Sequence, residues 1–309
     1  MVLIPSRVLK WYQRVVVPSY VCSISMEYRS TKQSGGLGLT AGTLLSGASS
    51  GEKEAVMKIH TLAGYIQHIY LVEDSNGLLL LDGCSRADVD KVCQFITQTL
   101  GRPLSDLKLI VVTHMHPDHA GGAIKLRERT GAQVASHPKA INWYAGFAGR
   151  TAHGIDLLLT WWVANRIGKP RMPIWYNPIL TPDMTLADNQ TLPGFPDWQV
   201  MYTPGHTDHD LTLQHIPTHQ AYIADVLVQV KGELVPPYPL CHPNQYRESL
   251  KRLAQSHIDT FFCAHVPPTK KSDIDFEHVI ENAPRKPKNH WHSSKNRIKK
   301  KLFNQTREH

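Results

Sequence analysis

A chain of 309 residues, 41% hydrophobic and 19% charged, has the composition of a soluble globular protein and is long enough to bury a substantial core. Its net charge of +8 is local: nine Lys and Arg residues from Arg285 onward face a single acid, Glu308, so the preceding chain is electrically balanced and the basic excess says nothing about a substrate. Five cysteines, at 22, 84, 93, 241 and 263, form no CxxC pair and are odd in number, which argues against a disulfide framework and for a reducing, cytoplasmic compartment; no run of 18 apolar residues exists, so no transmembrane span is expected.

In residues 1–56, Arg7, Lys10 and Arg14 interrupt the apolar stretches, which argues against a secretory leader, and Leu37 to Ser50 is rich in small residues. This segment is expected to be a poorly ordered extension, with Met57 opening the folded domain. Ile66 to Glu73 and Leu78 to Asp82 read as strands joined through Asp74-Ser75-Asn76-Gly77, where Asn-Gly supplies the positive φ of a tight hairpin. Val89, Val92, Cys93, Ile96 and Leu100 recur at helical spacing, predicting a helix over 89–100. Leu107 to Thr113 is the next strand, and it runs into THMHPDHAGG at 113–122. Ala120 to Thr130 is predicted helical and closed by Gly131, with Gln133 to Ser136 a short strand.

Residues 139–190 form a helical insertion rich in aromatics: Trp143, Tyr144, Phe147, Trp161, Trp162, Trp175 and Tyr176. Leu157-Leu158-Leu159 and Trp161-Trp162-Val163 are apolar nearly all round a helix, which therefore needs cover on more than one side. Three uses stay open at this point: burial against the domain, a lid or homodimer surface over a cleft, and contact with a membrane surface. Beyond the insertion, Gln199 to Tyr202, Leu211 to His215 and Gln220 to Ala224 read as strands, with Ile216-Pro217-Thr218-His219 as a hairpin turn. Gln245 to Gln255 is predicted helical and Thr260 to Ala264 closes the pattern. This order predicts an α/β fold: an αββα sandwich of two mixed β-sheets flanked by helices, spanning 57–270. Residues 271–309 are expected to be a solvated basic tail, the alternative being an arm for nucleic acid or anionic lipid.

The chemistry concentrates where apolar runs stop. His114, His116, Asp118 and His119 follow directly on Leu109-Ile110-Val111-Val112, and a strand that ends by delivering these four in a tight turn can point two pairs of donors at two neighbouring cations. Four donors leave two cations incompletely coordinated, so others must come from distant strand ends. His206 in PGHT, Asp225 after Ala221 to Ala224 and His265 after Thr260 to Ala264 are so placed. Zinc suits this mixture of imidazole and carboxylate, with iron or manganese as alternatives. Asp82 is positioned to accept a hydrogen bond from a ligand imidazole and fix its tautomer, and Asp210 is a second candidate for that role. Cys84 and Cys263 either approach the metals or pack as small buried residues. His60, His68, His137, His153, His242 and His257 match no ligand position and are read as structural or exposed.

The order HxHxDH, His, Asp and His, with Asp82-Gly83 upstream, resembles the metallo-β-lactamase-fold hydrolase superfamily over roughly residues 57 to 270. The resemblance implies that His114, His116 and His206 hold one zinc, that Asp118, His119 and His265 hold a second, and that Asp225 bridges them. It also implies a metal-bridged hydroxide as nucleophile, since zinc lowers the pKa of bound water toward ~7, with Asp118 as the catalytic proton carrier. Asp225 is similar to the bridge of the glyoxalase II, lactonase and phosphodiesterase branches, whereas the antibiotic-cleaving members usually carry Cys or Ser there. Helical elements between the fourth ligand and PGH resemble lactonases, although Val226-Leu227-Val228 occupies the stretch where those enzymes often have a tyrosine. Thr207, Asp208, His209 and Asp210 depart from the glycine and small hydroxyl residue that relatives often carry after PGH.

The expected activity is dinuclear zinc hydrolysis of a small-molecule carboxylic ester or lactone. Glyoxalase II-like thioester hydrolysis comes next, and mononuclear iron persulfide dioxygenation is the alternative from another class, disfavoured by the complete second ligand set. Relatives that cut nucleic acids usually add a clamp domain, for which the sequence shows no dedicated segment.

Overall fold

The computed structural model describes residues 57–288 and the two-residue strand β1 (Met26–Glu27). The rest of the expected N-terminal extension, and residues 289–309 of the basic tail, lie outside the described residues. The first sheet runs in chain order. β1 pairs with β2 (Lys58–Ala63), and β3 (His68–Asp74) and β4 (Gly77–Leu80) follow, all antiparallel. β5 (Leu107–Val112), β6 (Gln133–Ser136) and β7 (Met184–Thr185) then add in parallel.

The second sheet is built from β8 (Thr191–Leu192), β9 (Phe195–Tyr202), β10 (Leu211–His215), β11 (Gln220–Tyr222), β14 (Thr260–Phe262) and β15 (Thr269–Lys270), in the order β15-β14-β11-β10-β9-β8. Its β11–β14 pair is parallel and its other pairs antiparallel, so both sheets are mixed. A separate hairpin joins β12 (Val228–Val230) to β13 (Glu233–Val235).

Burial explains why the central strands read as unbroken apolar runs. In β3 and β4, with Leu81 just beyond, Tyr70, Val72, Leu79 and Leu81 point between the sheets, where they meet Trp198, Val200, Leu211, Leu213, Tyr222 and Phe262. Their neighbours Ile69, Leu71, Leu78 and Leu80 point outward, against Val92 of helix α1 (Val89–Gln94), Ile96 just beyond it, and Ala123 and Leu126 of α3 (Ala123–Thr130). The second sheet is covered in the same way: Ala221, Ile223 and Phe261 pack under Tyr246, Leu250 and Leu253 of α5 (Pro243–Gln255). A strand buried on both faces needs apolar residues at every position, and each large one contributes about 1.5–3 kcal/mol of burial. The αββα layering expected from sequence is the observed architecture.

Four local differences have physical causes. The pattern Lys-Ile-His-Thr-Leu-Ala hid β2, because Ile59 faces the inter-sheet core while Leu62 faces the helices, leaving no apolar stripe with a period of two. The helix over 89–100 closes with a π turn at Phe95–Thr99. The helix expected from Ala120 is two helices, α2 (Pro117–Ala120) and α3, interrupted at Gly121-Gly122. There the chain presses on the end of β4: Gly122 donates its N–H to Cys84 O at 2.8 Å, and a Cβ on Gly122 would lie 2.8 Å from Gly83 O. Finally, residues 271–288 belong to the fold rather than to a solvated tail, since α6 (Phe276–Asn282) buries Val279 against the α5 side of the second sheet and Lys288 pairs with Leu240.

The insertion centres on α4 (Gly146–Arg166). Leu157, Leu159 and Ala164 pack with Tyr144, Ile174, Tyr176 and Leu180 into the helix-side core, which satisfies the first of the three readings for one side of the helix. Its other side presents Phe147 and Leu158 to solvent. Among the described residues no helix is long and apolar enough to cross a membrane.

Candidate metal centre

All seven donor residues expected from sequence come together at one edge of the sandwich, where β5, β11 and β14 end. Each is at or near the carboxyl end of a strand, the place where a buried chain first becomes free to turn its side chains into a common cleft. Two clusters result: His114, His116, His206 and Asp225, and beside them Asp118, His119 and His265, with the donor atoms of each set within 4.8 Å of one another. Asp225 joins both. Its Oδ2 is 3.8 Å from His114 Nε2 and 3.5 Å from His206 Nε2, while its Oδ1 is 3.3 Å from His119 Nε2 and 3.4 Å from His265 Nε2. Within the first set, His116 Nδ1 lies 3.1 Å from His114 Nε2 and 2.9 Å from His206 Nε2. Within the second, Asp118 Oδ2 lies 3.1 Å from His265 Nε2 and 3.4 Å from His119 Nε2. Ligands 2.0–2.1 Å from a tetrahedral zinc are about 3.3 Å apart, a spacing that the separations here, from 2.9 to 3.8 Å, bracket.

Tautomers follow from the far side of each ring. His119 Nδ1 donates to Asp82 Oδ2 at 2.6 Å, His206 Nδ1 to Pro239 O at 2.6 Å and His265 Nδ1 to Ile66 O at 3.1 Å. Thr113 donates its hydroxyl proton to Asp82 Oδ2 at 2.7 Å, so the Thr113 Oγ1 oxygen is left to accept from His114 Nδ1 at 3.2 Å. Four rings therefore turn Nε2, not Nδ1, inward. His119 Nε2 and Asp225 Oδ1 are buried with no hydrogen-bond partner, an arrangement costly for an acceptor unless a cation fills the space between them.

The sequence model of the metallo-beta-lactamase superfamily matches residues 62–265. The chain belongs to that superfamily. A curated relative, the probable metallo-hydrolase YflN of Bacillus subtilis (strain 168), is 24% identical over 239 residues, covering 71% of this chain and 88% of the relative. A hydroxyacylglutathione hydrolase of Albidiferax ferrireducens is 42% identical over 67 residues, which is 22% of this chain and 24% of that enzyme. Among solved structures, a metallo-beta-lactamase family protein from Thermus thermophilus superposes with a TM-score of 0.53 at 21% identity, covering 70% of this chain and 73% of the other, a likeness of fold.

Electrostatics in this superfamily member follow from burial and from the clustering itself. Burial and the surrounding imidazoles hold His114 and His116 well below the ordinary histidine range. Burial pulls the same way on His119 and His265, but Asp225 and Asp118 outweigh it and raise both rings. Burial works against ionisation of Asp118 and Asp225, yet the neighbouring imidazoles hold both carboxyls below the usual carboxylate range.

Asp82 lies beside His119, its Oδ2 2.6 Å from the ring Nδ1. Asp210 acts differently from the expectation: it accepts from Gly205 N–H at 3.0 Å, Thr207 N–H at 2.8 Å and the Thr207 hydroxyl at 2.6 Å, so it shapes the turn that carries His206 and makes its contacts with that turn rather than with a ligand ring. Cys84 and Cys263 are buried, and burial pushes both thiols up, in keeping with packing. The histidines read as non-ligands lie outside both clusters.

Sequence reasoning missed several supporting groups. His209 is fully buried and its Nε2 accepts from Met115 N–H at 3.1 Å, bracing the loop between His114 and His116. Gln67 donates to Asp118 O at 2.9 Å, and Tyr222 donates to Asp82 Oδ2 at 2.9 Å. From the insertion, Tyr176 donates to Met115 O and Tyr144 donates to Asp156 Oδ2 at 2.6 Å. Burial raises Asp156 to about 7. Only Tyr222, at a strand end facing Asp82, carried a positional signal; the others depend on tertiary packing.

Proposed function

We propose that this chain is a dinuclear zinc hydrolase of a carboxylic ester or lactone, with His114, His116 and His206 at one metal, Asp118, His119 and His265 at the other, and Asp225 between them. The observation behind this reading is the shared carboxylate: Asp225 offers one oxygen to each donor set, and Oδ1 is buried without a hydrogen-bond partner. Imidazole and carboxylate donors at these separations fit zinc.

When bound, two zinc ions supply Lewis acidity at a substrate oxygen and lower the pKa of water far enough to make it a nucleophile at neutral pH. The chain's own residues do the rest. Asp82, Thr113, Pro239 O and Ile66 O lock the ring tautomers. Asp118 is anionic and within 3.4 Å of both ring nitrogens of its set, placed to take a proton from the nucleophile and return it to the leaving alkoxide. Tyr176, whose hydroxyl donates to Met115 O, and Trp143, whose ring lies 4.9 Å from that of His209, bring aromatic groups of the insertion beside the ligand loop, a surrounding that suits an acyl group.

Thioester hydrolysis is the second reading, supported by the local match to the hydroxyacylglutathione hydrolase. Metal analysis and one substrate panel test both. Two zinc per chain, with kcat/KM highest on lactones or simple esters, is expected. A preference for thioesters selects the second reading, and one iron per chain with oxygen uptake would overturn both.

A further inference from the structure

The imidazoles of the two clusters share one device and differ in one respect. His114, His119, His206 and His265 aim Nε2 at the clusters and spend Nδ1 on an acceptor drawn from the sandwich. His116 is reversed. Its Nδ1 faces the cluster, at 2.9 Å from His206 Nε2 and 3.1 Å from His114 Nε2, so its outward nitrogen is Nε2. The carboxylate facing that nitrogen comes from the insertion: Asp156 Oδ2, on the buried side of α4, stands 4.0 Å from His116 Nε2.

We infer that Asp156 is a positioning residue for the first metal site, holding His116 in the tautomer that leaves Nδ1 free to coordinate. The inference rests on the dinuclear reading above. The insertion reaches the ligand loop at a second point one residue away, where Tyr176 donates to Met115 O, and Tyr144 donates to the same Asp156 oxygen at 2.6 Å, so the carboxylate is held from behind while it faces the ring. Gly149 lets α4 sit there: a Cβ on it would lie 2.3 Å from the carbonyl carbon of Tyr144. The aromatic insertion is thereby part of the metal site's scaffolding, and not only its cover.

An acceptor behind a ligand imidazole raises the ring's basicity and fixes its orientation, and loss of such an acceptor weakens metal binding about 10–100-fold. The test is zinc and cobalt(II) titration of wild type, Asp156→Ala, Asp156→Asn and Asp156→Glu against a competing chelator, with the cobalt spectrum recorded at one and two equivalents and the melting temperature taken in excess chelator. The expected result is selective. One of the two equivalents weakens about 10–100-fold in Asp156→Ala and less in Asp156→Asn, which keeps an oxygen facing Nε2. Asp156→Glu retains affinity because it keeps a carboxyl facing Nε2, and in every variant the other equivalent keeps its affinity.

Wild-type affinities for both equivalents in Asp156→Ala and Asp156→Asn would overturn the inference. So would equal weakening of both equivalents together with a lowered melting temperature of the metal-free chain, which marks a purely structural role. A wild-type chain that binds no metal would instead overturn the dinuclear reading on which the inference stands.

Discussion

His119 donates to Asp82 at 2.6 Å, and the same carboxylate oxygen takes the hydroxyl protons of Thr113 at 2.7 Å and Tyr222 at 2.9 Å, while its other oxygen accepts the N–H groups of Gly83 and Thr113. Asp82 therefore satisfies donors from the end of β4, the ligand loop and the second sheet at once. Replacing it by Asn turns one acceptor into a donor that faces other donors. Asp82→Asn is expected to cost about 2–4 kcal/mol in the metal-free chain, by urea denaturation, and to weaken zinc at the Asp118/His119/His265 set about 10–100-fold, by chelator competition. An unchanged second equivalent would show that the His119 tautomer is fixed by something else.

Metal removal should destabilise the whole domain. Ions bound to the folded chain at about 1,000 times their dissociation constant each add about 4 kcal/mol, and the clusters tie the ends of β5, β11 and β14 to the loop after β9. Adding a chelator is expected to lower the melting temperature by more than about 10 °C, and zinc, added back at two equivalents, to restore it. Restoration complete at one equivalent would contradict the paired site.

These donors were legible in the sequence for a reason of packing. β5 is covered on both faces, so Leu109 to Val112 is an unbroken apolar run and its end is plain; the polar residues that follow directly must then lie at the sheet edge. The same logic located His206, Asp225 and His265. Asp156 was not legible, because it sits in α4 beside Leu157, Leu159 and Thr160, and its approach to His116 depends on how the insertion docks, which no spacing encodes. The residues just after His206 were opaque too: Asp210 closes the turn on itself and His209 braces Met115, roles that depend on a fold of the loop rather than on its pattern.

The turn that carries His206 has no space for a side chain at Gly205. A Cβ there would lie 2.5 Å from Tyr246 Cβ and 2.6 Å from Tyr246 Cα, at the start of α5, whose Tyr246 hydroxyl is tied to Val226 O at 2.7 Å. Gly205→Ala must push the His206 turn away from α5. It is expected to destabilise the chain by about 1–3 kcal/mol and to weaken metal at the His114/His116/His206 set more than at its neighbour, by denaturation and cobalt titration. Equal effects on both sets would mean that the turn moves the domain as a unit.

Asp118 separates binding from turnover. Asn keeps the shape and one coordinating oxygen but cannot carry a proton between nucleophile and leaving group. Asp118→Asn is expected to retain two metals at saturating zinc while kcat falls about 10²–10⁴-fold on the best ester or lactone. Full turnover with both metals bound would remove Asp118 from the proton path.

Acid sensitivity can be assigned to a histidine remote from the metals. His215 ends β10 buried, its ring 5.0 Å from that of Trp198 and its Nδ1 2.7 Å from the Thr218 hydroxyl, and burial lowers it to about 4. The unfolded chain, with an ordinary histidine near 6.5, takes up a proton that the folded chain refuses between these values. The contribution of the neutral ring to stability is therefore fully present above about pH 6.5 and is lost as the pH falls toward 4, by about 2–3 kcal/mol in all. Because metal release also occurs in acid, the informative quantity is the difference between wild type and His215→Gln, both in excess chelator. Urea denaturation from about pH 7 to 4 is expected to show wild type losing that amount relative to the variant, most steeply between about pH 6 and 4.5. A difference that stays constant across the range would mean that the buried ring titrates normally, or that the turn at Ile216–His219 opens before it does.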